Sequence, residues 1–343
     1  MREEEQSAVY RSASSYPRGR RKRPSKFVCA LVAAVIASAI LVLAIINYRK
    51  AALLSHRVGV QQESIPTPIA PTKPSIPQKV SLPSDYAIPI LCYHDFRDSG
   101  KHRWWATPPK RFEAQLQMLN ALGFTFLTMS EAVDLIQGRW NKPIPKRPVV
   151  ITIDDGFRSA YKVAYPLLSK YGAKATLFVY TNAIGSFGLS WEQLREMTQS
   201  GRIEVASHTV THPHPDHLKR LKKQYGVNGY RERLVYEFAT SKRLLEQNLG
   251  VRVNGLAYTG GVVDAVAMEI ARAVGYKWAV KIDPQPFKPT TDVYCIPRYA
   301  VNNGTTVMAL RAWLMGGGLH KQFGKLNRRG VASQRRMLKM RGG

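Results

Sequence analysis

Short apolar runs recur across residues 86–301 and alternate with stretches of helical periodicity. IPILCY (88–93), TFLT (125–128), PVVITI (148–153), ATLFV (175–179), IEVA (203–206), GLAY (255–258), KWAV (277–280) and VYCIPRYAV (293–301) read as strands. Between them, 109–122 carries Phe112, Leu116 and Leu119 on one helical face, and Ser190 with Gln193 forms a capping box for a second helix. The longest helix is predicted over 229–249, with Leu234, Phe238, Leu245 and Leu249 in register and Gly250 as its stop. Most of the strands are continuously apolar, which predicts a parallel sheet buried on both faces. About eight strands in one α/β domain point to a barrel rather than an open sheet, with chemistry at the C-terminal strand ends.

Phe27 to Ile46 (FVCALVAAVIASAILVLAII) breaks this pattern, with 20 residues and no charge. At 1.5 Å per residue such a helix spans a bilayer core of about 30 Å. Arg18, Arg20, Arg21, Lys22, Arg23 and Lys26 precede it, while only Arg49 and Lys50 follow closely. The positive-inside rule then places the N-terminus in the cytoplasm and the rest of the chain outside. A cleaved signal peptide is the competing reading, but its apolar region is normally about 7–15 residues, and no clean A-x-A site follows here. The expected organisation is a basic cytoplasmic tail (1–26), a single-pass transmembrane signal-anchor helix (27–47) and a Pro-rich linker (48–84). A folded extracytoplasmic domain (85–320) and a basic tail (321–343) complete it. Pro66, Pro68, Pro71, Pro74, Pro77 and Pro83 make the linker a stiff tether.

With 45% hydrophobic and 10% aromatic residues the chain can bury a core, which excludes wholesale disorder. Three cysteines exclude a disulfide-stapled miniprotein. Cys92 and Cys295 fall on the first and last predicted strands, neighbours in a closed barrel; a disulfide and two free thiols both remain open readings. More than half of the net charge of +28 lies in the tails and linker, with eight Lys and Arg against three Glu in 1–26, five against one in 47–84 and eight against none in 321–343. Such tails suit contacts with anionic polymer or lipid. Charge placed there, rather than on an aromatic-studded face, argues against specific nucleic-acid binding.

Two segments carry candidate chemistry. The strand 148–153 ends in Asp154 and Asp155, with Gly156 easing the turn. Adjacent carboxylates are costly to bury without a cation or a shared proton, although Asp-Gly is also an ordinary turn signal. In IEVASHTVTHPHPDH (203–217), His208 and His212 are four apart and face one way on a helical turn or an extended segment. Such a pair with a carboxylate as third ligand suits a divalent ion such as zinc. His214 and His217 read as outer or exposed residues.

Together, TIDDG (152–156) and SHTVTH (207–212) resemble the polysaccharide deacetylases, carbohydrate esterase family 4, with the NodB-homology domain. The resemblance covers most of 86–301. IPILCYHDF, ATPPKRFEAQLQMLNALGF and LSWEQLREM look like the bacterial branch that deacetylates extracellular poly-N-acetylglucosamine. It implies a distorted (β/α) barrel of NodB type. It also implies metal-dependent hydrolysis of N-acetyl groups from N-acetylglucosamine-containing polysaccharide, whether poly-N-acetylglucosamine, chitin oligomers or peptidoglycan. By resemblance Asp154 is the general base, and Asp155, His208 and His212 hold one divalent metal, Zn2+ with Co2+ or Ni2+ as alternatives.

The later motifs depart from the family pattern. LAYTGG (256–261) keeps Tyr258 as a substrate contact and puts Gly260 where a backbone N–H meets the oxyanion, with less rigidity than a Pro-Tyr pair. Arg298 resembles the arginine with which the biofilm branch orients its base. The final Leu-x-His motif is replaced by GGGLH (316–320), so His320 and His94 are rival proton donors. Trp278 falls at the fourth motif, to stack on a sugar or to pack the barrel. The damaged motifs leave a catalytically impaired glycan or wall-polymer binder as the alternative function.

Overall fold

The computed structural model describes residues 82–98, 104–261 and 263–315. The chain divides into units 1–74 and 75–343, and every described residue belongs to the second. The expected membrane helix, both basic tails, nearly all of the linker and His320 lie outside the described residues. Among the described residues no helix is long and apolar enough to cross a membrane.

All eight predicted strands form. They are β1 (Ile90–Tyr93), β2 (Thr125–Leu127), β3 (Pro148–Ile153), β4 (Ala175–Val179), β5 (Ile203–Ser207), β6 (Gly255–Ala257), β7 (Trp278–Val280) and β8 (Tyr299–Ala300). They join in one sheet of order β7-β6-β5-β4-β3-β1-β8, with β2 also on β3, and every strand pair is parallel. The sheet curls into a half-barrel with β7 and β8 at the two ends of its strand order. Residues 293–298 run alongside β7, with Ile296 N donating to Ala279 O at 3.0 Å and Lys281 N to Ile296 O at 2.8 Å. The chain then crosses to β1, where Leu91 faces Tyr299 and Cys92 faces Ala300. The predicted strand 293–301 is therefore cut to two residues: Pro297 has no N–H to donate, and the segment changes partners there.

The helices are α1 (Pro109–Ala121), α2 (Met129–Ile136), α3 (Tyr165–Lys170), α4 (Trp191–Gln199), α5 (Pro215–Leu249), α6 (Ala265–Val274) and α7 (Val307–Met315). The Ser190–Gln193 capping box is present, and Gly250 ends α5 in the left-handed conformation. α5 extends beyond its predicted start and is broken at Gly226 (φ 68°, ψ −170°), so its first, basic stretch is a separate helical piece.

Strand alternation divides the core in two. Leu91, Tyr93, Ile151, Leu177 and Val205 face outward into the layer covered by α1, α4, α5 and α6. Ile90, Val150, Phe178, Ala206, Ala257, Trp278, Val280 and Ile296 fill the inside. Trp278 is 1% exposed, stands edge-on to Phe178 at 5.9 Å and donates its indole N–H to Ser130 Oγ at 3.2 Å. Its six-membered ring lies against Gly255, where even a β-carbon would sit 1.9 Å from Cη2. It begins β7, away from the C-terminal edge of the sheet, so of the two readings of Trp278 its contacts are those of packing inside the sheet.

Cys92 and Cys295 are both free thiols. Cys295 lies outside β8, in the segment 293–298 that runs alongside β7, and the residue opposite Cys92 on β8 is Ala300. No disulfide can form at that offset.

Candidate functional site

The inward positions of β1, β3 and β5 continue past the strand ends into His94, Asp154 and His208, and a cleft opens there. It is lined by these residues with Asp155, His212, Trp104, Tyr258, Gly260, Gly261, Ile282 and Ala300.

Asp154 is buried and held by Arg298, which is fully buried too. The guanidinium donates Nη1 to Oδ1 at 2.6 Å and Nη2 to Oδ2 at 2.8 Å, a fork-on-carboxylate geometry. Nη1 also reaches Thr152 Oγ1 at 3.0 Å, and the guanidinium carbon lies 5.1 Å from the centre of the Phe178 ring. The Cys92 thiol donates to Asp154 Oδ2 at 3.4 Å. Burial opposes ionisation of Asp154, but Arg298 and His208 outweigh it and hold the carboxyl well below the usual carboxylate range. Burial pushes the Cys92 thiol well up, so it stays protonated as a donor.

Asp155, His208 and His212 converge. His208 Nε2 and His212 Nε2 each lie 3.5 Å from Asp155 Oδ1, and one ligand atom of each residue falls within 4.8 Å of the others. Ligands about 2.0–2.1 Å from a tetrahedral ion are about 3.4 Å apart, so the residues present fit one divalent cation. The donor chemistry agrees. His208 Nδ1–H donates to Ala257 O at 2.9 Å, which leaves the Nε2 lone pair facing Asp155. Burial and the neighbouring His212 push the His208 pKa down to about 4, against the pull of Asp154 and Asp155, so the ring is neutral at pH 7. Among the described residues no Lys or Arg pairs with Asp155.

The local backbone is unusual here. Asp155 (φ 72°), Thr209 (φ 75°) and His212 (φ 52°) are the non-glycine residues with positive φ among those described. Left-handed conformations at such residues cost free energy and persist only where surrounding contacts enforce them. The histidine pair therefore sits on neither a helical turn nor an extended segment but on a constrained loop. Glu237, fully buried on α5, enforces it: its carboxylate accepts from Val210 N at 2.8 Å, Thr211 N at 2.9 Å and Thr211 Oγ1 at 2.6 Å. Arg233 neutralises Glu237 from one helical turn away at 2.7 Å. Thr209 Oγ1 accepts the His212 N–H at 3.0 Å. His214 caps α5 by accepting from Asp216 N, so it belongs to the helix rather than to the ligand set.

The turn Thr259–Gly261 forms the opposite wall. Gly260 has φ 62°, and a β-carbon there would lie 2.5 Å from Pro215 Cγ, so glycine alone fits. The rigidity expected to be missing from LAYTGG comes from elsewhere: Thr259 Oγ1 donates to Pro213 O at 2.8 Å and Gly261 N to Tyr258 O at 3.0 Å. Tyr258 lines the cleft, but its hydroxyl is engaged with Tyr294 O at 3.0 Å. His94 follows β1 directly, with its Nδ1 buried and unpartnered, and Trp104 presents a buried, unpartnered indole N–H.

Two of these residues escaped sequence reasoning. Glu237 carries a usable signal, an acid within the buried stripe Leu234–Phe238–Leu245 of an amphipathic helix. Trp104 carries none, because its place in the cleft depends on a loop tied to the far end of the chain, where Asn303 N donates to Trp104 O at 2.9 Å.

A sequence model of the family described as polysaccharide deacetylase matches residues 141–279. YxkH of Bacillus subtilis (strain 168), itself classed with the polysaccharide deacetylases, is 32% identical over 228 residues, covering 66% of this chain and 76% of its own. The poly-β-1,6-N-acetyl-D-glucosamine N-deacetylase of Staphylococcus epidermidis (strain ATCC 35984) is 29% identical over 216 residues, 61% of this chain and 72% of its own. Among solved structures, IcaB from Ammonifex degensii aligns with a TM-score of 0.59 and 28% identity, over 67% of this chain and 97% of its own. The Streptococcus pyogenes deacetylase PplD, solved with acetate, gives 0.59 and 26%, over 67% and 99%. A curled parallel sheet with these carboxylates and imidazoles at its C-terminal edge, matched in sequence and in fold, places the chain in the polysaccharide deacetylase family, hydrolases that act on N-acetyl groups.

Proposed function

We propose that the protein is a membrane-tethered, zinc-dependent deacetylase of β-linked N-acetylglucosamine polymers outside the cell. The observation that carries it is the meeting of Asp155, His208 and His212 beside an Arg298-bound Asp154. The staphylococcal relative acts on a β-1,6-linked polymer, which supports that linkage here. Cobalt and nickel suit the same N/O ligands. The uncharged run Phe27–Ile46 with its basic N-terminal flank supports the tether and an extracytoplasmic cleft.

Asp155, His208 and His212 would hold a divalent ion, which when bound would supply Lewis-acid polarisation of an acetamide carbonyl and an acidified water with a pKa near about 7. That matters because Asp154, ionised well below the usual range, is a weak base and suffices only for an acidified water. Arg298 fixes the direction in which Asp154 accepts the proton. Gly260 lines the cleft, and we assign its N–H the role of donating to the carbonyl oxygen as negative charge grows there. His94, which also lines the cleft, is assigned to deliver a proton to the leaving amine, and Trp104 lines the same cleft.

Acetate release by the purified protein, measured on β-1,6- and β-1,4-linked N-acetylglucosamine oligomers, peptidoglycan and an O-acetylated xylan, tests the reading. Release from the N-acetylglucosamine oligomers, greatest for the β-1,6 linkage and absent from xylan, is expected. Release from xylan alone would overturn it.

A further inference from the structure

We propose that Phe187 is a sugar-binding platform at the rim of the cleft, on which a pyranose ring adjacent to the reacting residue stacks. This rests on the deacetylase reading and extends it to the shape of the substrate, a chain of sugars rather than one.

Phe187 is 54% exposed. It sits on the loop after β4, and that loop is tied down at every step. Ser186 N and Gly188 N both donate to Ala183 O, at 3.1 and 3.0 Å, and Gly185 N donates to Leu189 O at 2.9 Å. Leu189 N donates to Gly156 O at 3.0 Å, and Arg158 grips the carbonyls of Gly188 and Ser186. The anchors Gly156 and Arg158 belong to the turn that carries Asp154 and Asp155. The loop is therefore fixed to the catalytic strand end, yet it holds a phenyl ring out in water.

A single exposed apolar residue is ordinary. Position separates this one from the other exposed large hydrophobics among the described residues: Tyr225, Val227, Val235, Tyr236, Met308 and Met315 lie on α5 and α7, and Ile144 lies on the loop that enters β3 at the opposite edge of the sheet. A second observation links it to the site. The Phe187 ring is 5.8 Å from Tyr180, and Tyr180 is 5.3 Å from His212. Two ring contacts thus connect the platform to a metal-ligand candidate. A phenyl face carries negative π density and suits the C–H face of a pyranose, and a preformed one loses little entropy on binding.

The test compares wild type with Phe187→Ala on β-linked N-acetylglucosamine monomer, dimer and pentamer, and on an aryl acetate that has no sugar. The variant is expected to raise KM for the pentamer about three- to tenfold, with kcat nearly unchanged. Aryl acetate hydrolysis should stay at the wild-type rate, and Phe187→Trp should restore the pentamer KM. Calorimetry of pentamer binding to Asp154→Asn, with and without Phe187→Ala, should show the same loss of affinity without turnover. An unchanged pentamer KM and affinity would overturn the proposal. So would an equal fall on aryl acetate, which would make Phe187 a prop for His212, or full function in Phe187→Leu, which lacks a ring face. A wild type that binds pentamer through Phe187 but releases no acetate would refute the proposed function and leave the platform standing.

Discussion

Asp154→Asn lowers kcat for acetate release by about 10²–10⁴-fold, the usual contribution of a positioned general base, while the metal remains bound. The amide is close to isosteric and cannot take a proton at neutral pH. Because the lost interaction belongs to the transition state, kcat and kcat/KM fall together and KM barely moves. The metal stays because its candidate ligands are Asp155, His208 and His212, and Asp154 is bound instead by Arg298 and the Cys92 thiol. Steady-state kinetics with metal analysis of the same preparation checks this, and a near-wild-type kcat would remove Asp154 from its role.

Arg298→Leu is expected to cost stability as well as rate. Both partners of the Asp154–Arg298 pair are buried, and removing one partner of such a pair typically costs about 3–5 kcal/mol because the remaining charge is stranded. The pH dependence has a definite sign. The folded pKa of Asp154 lies below its unfolded value of 3.8, so the pair's contribution is complete above about pH 4 and is lost as pH falls through the folded pKa. The stability gap between wild type and variant is therefore widest near pH 7 and narrows on acidification. Denaturant melts at pH 7 and at pH 3.5 measure it; a gap that widens in acid would contradict the assignment.

The strands were legible because a parallel sheet buried on both faces leaves unbroken apolar runs, as in PVVITI and ATLFV. α2 was missed although Thr128 and Glu131 form a capping box, because its eight residues follow β2 with only one residue between and merge with the apolar run before them. The site was legible where residue type alone signals chemistry, in the Asp pair and the two histidines. Of its enforcement, Arg298 was legible only through the family resemblance, since its bond to Asp154 spans 144 positions, and Glu237, which reaches the ligand loop from a helix 26 residues on, was not read. Trp278 shows the limit of motif reading: its type suits a sugar, but at the start of β7 it packs inside the sheet. His320 and the membrane segment lie outside the described residues.

Metal content of the purified protein, compared with that of Asp155→Ala and His208→Ala, tests most directly whether Asp155, His208 and His212 share one ion. One divalent ion per wild-type chain, lost from both variants while circular dichroism shows all three folded, is the predicted result. Full metal content in both folded variants would contradict it, and with it the chemistry assigned to the cleft.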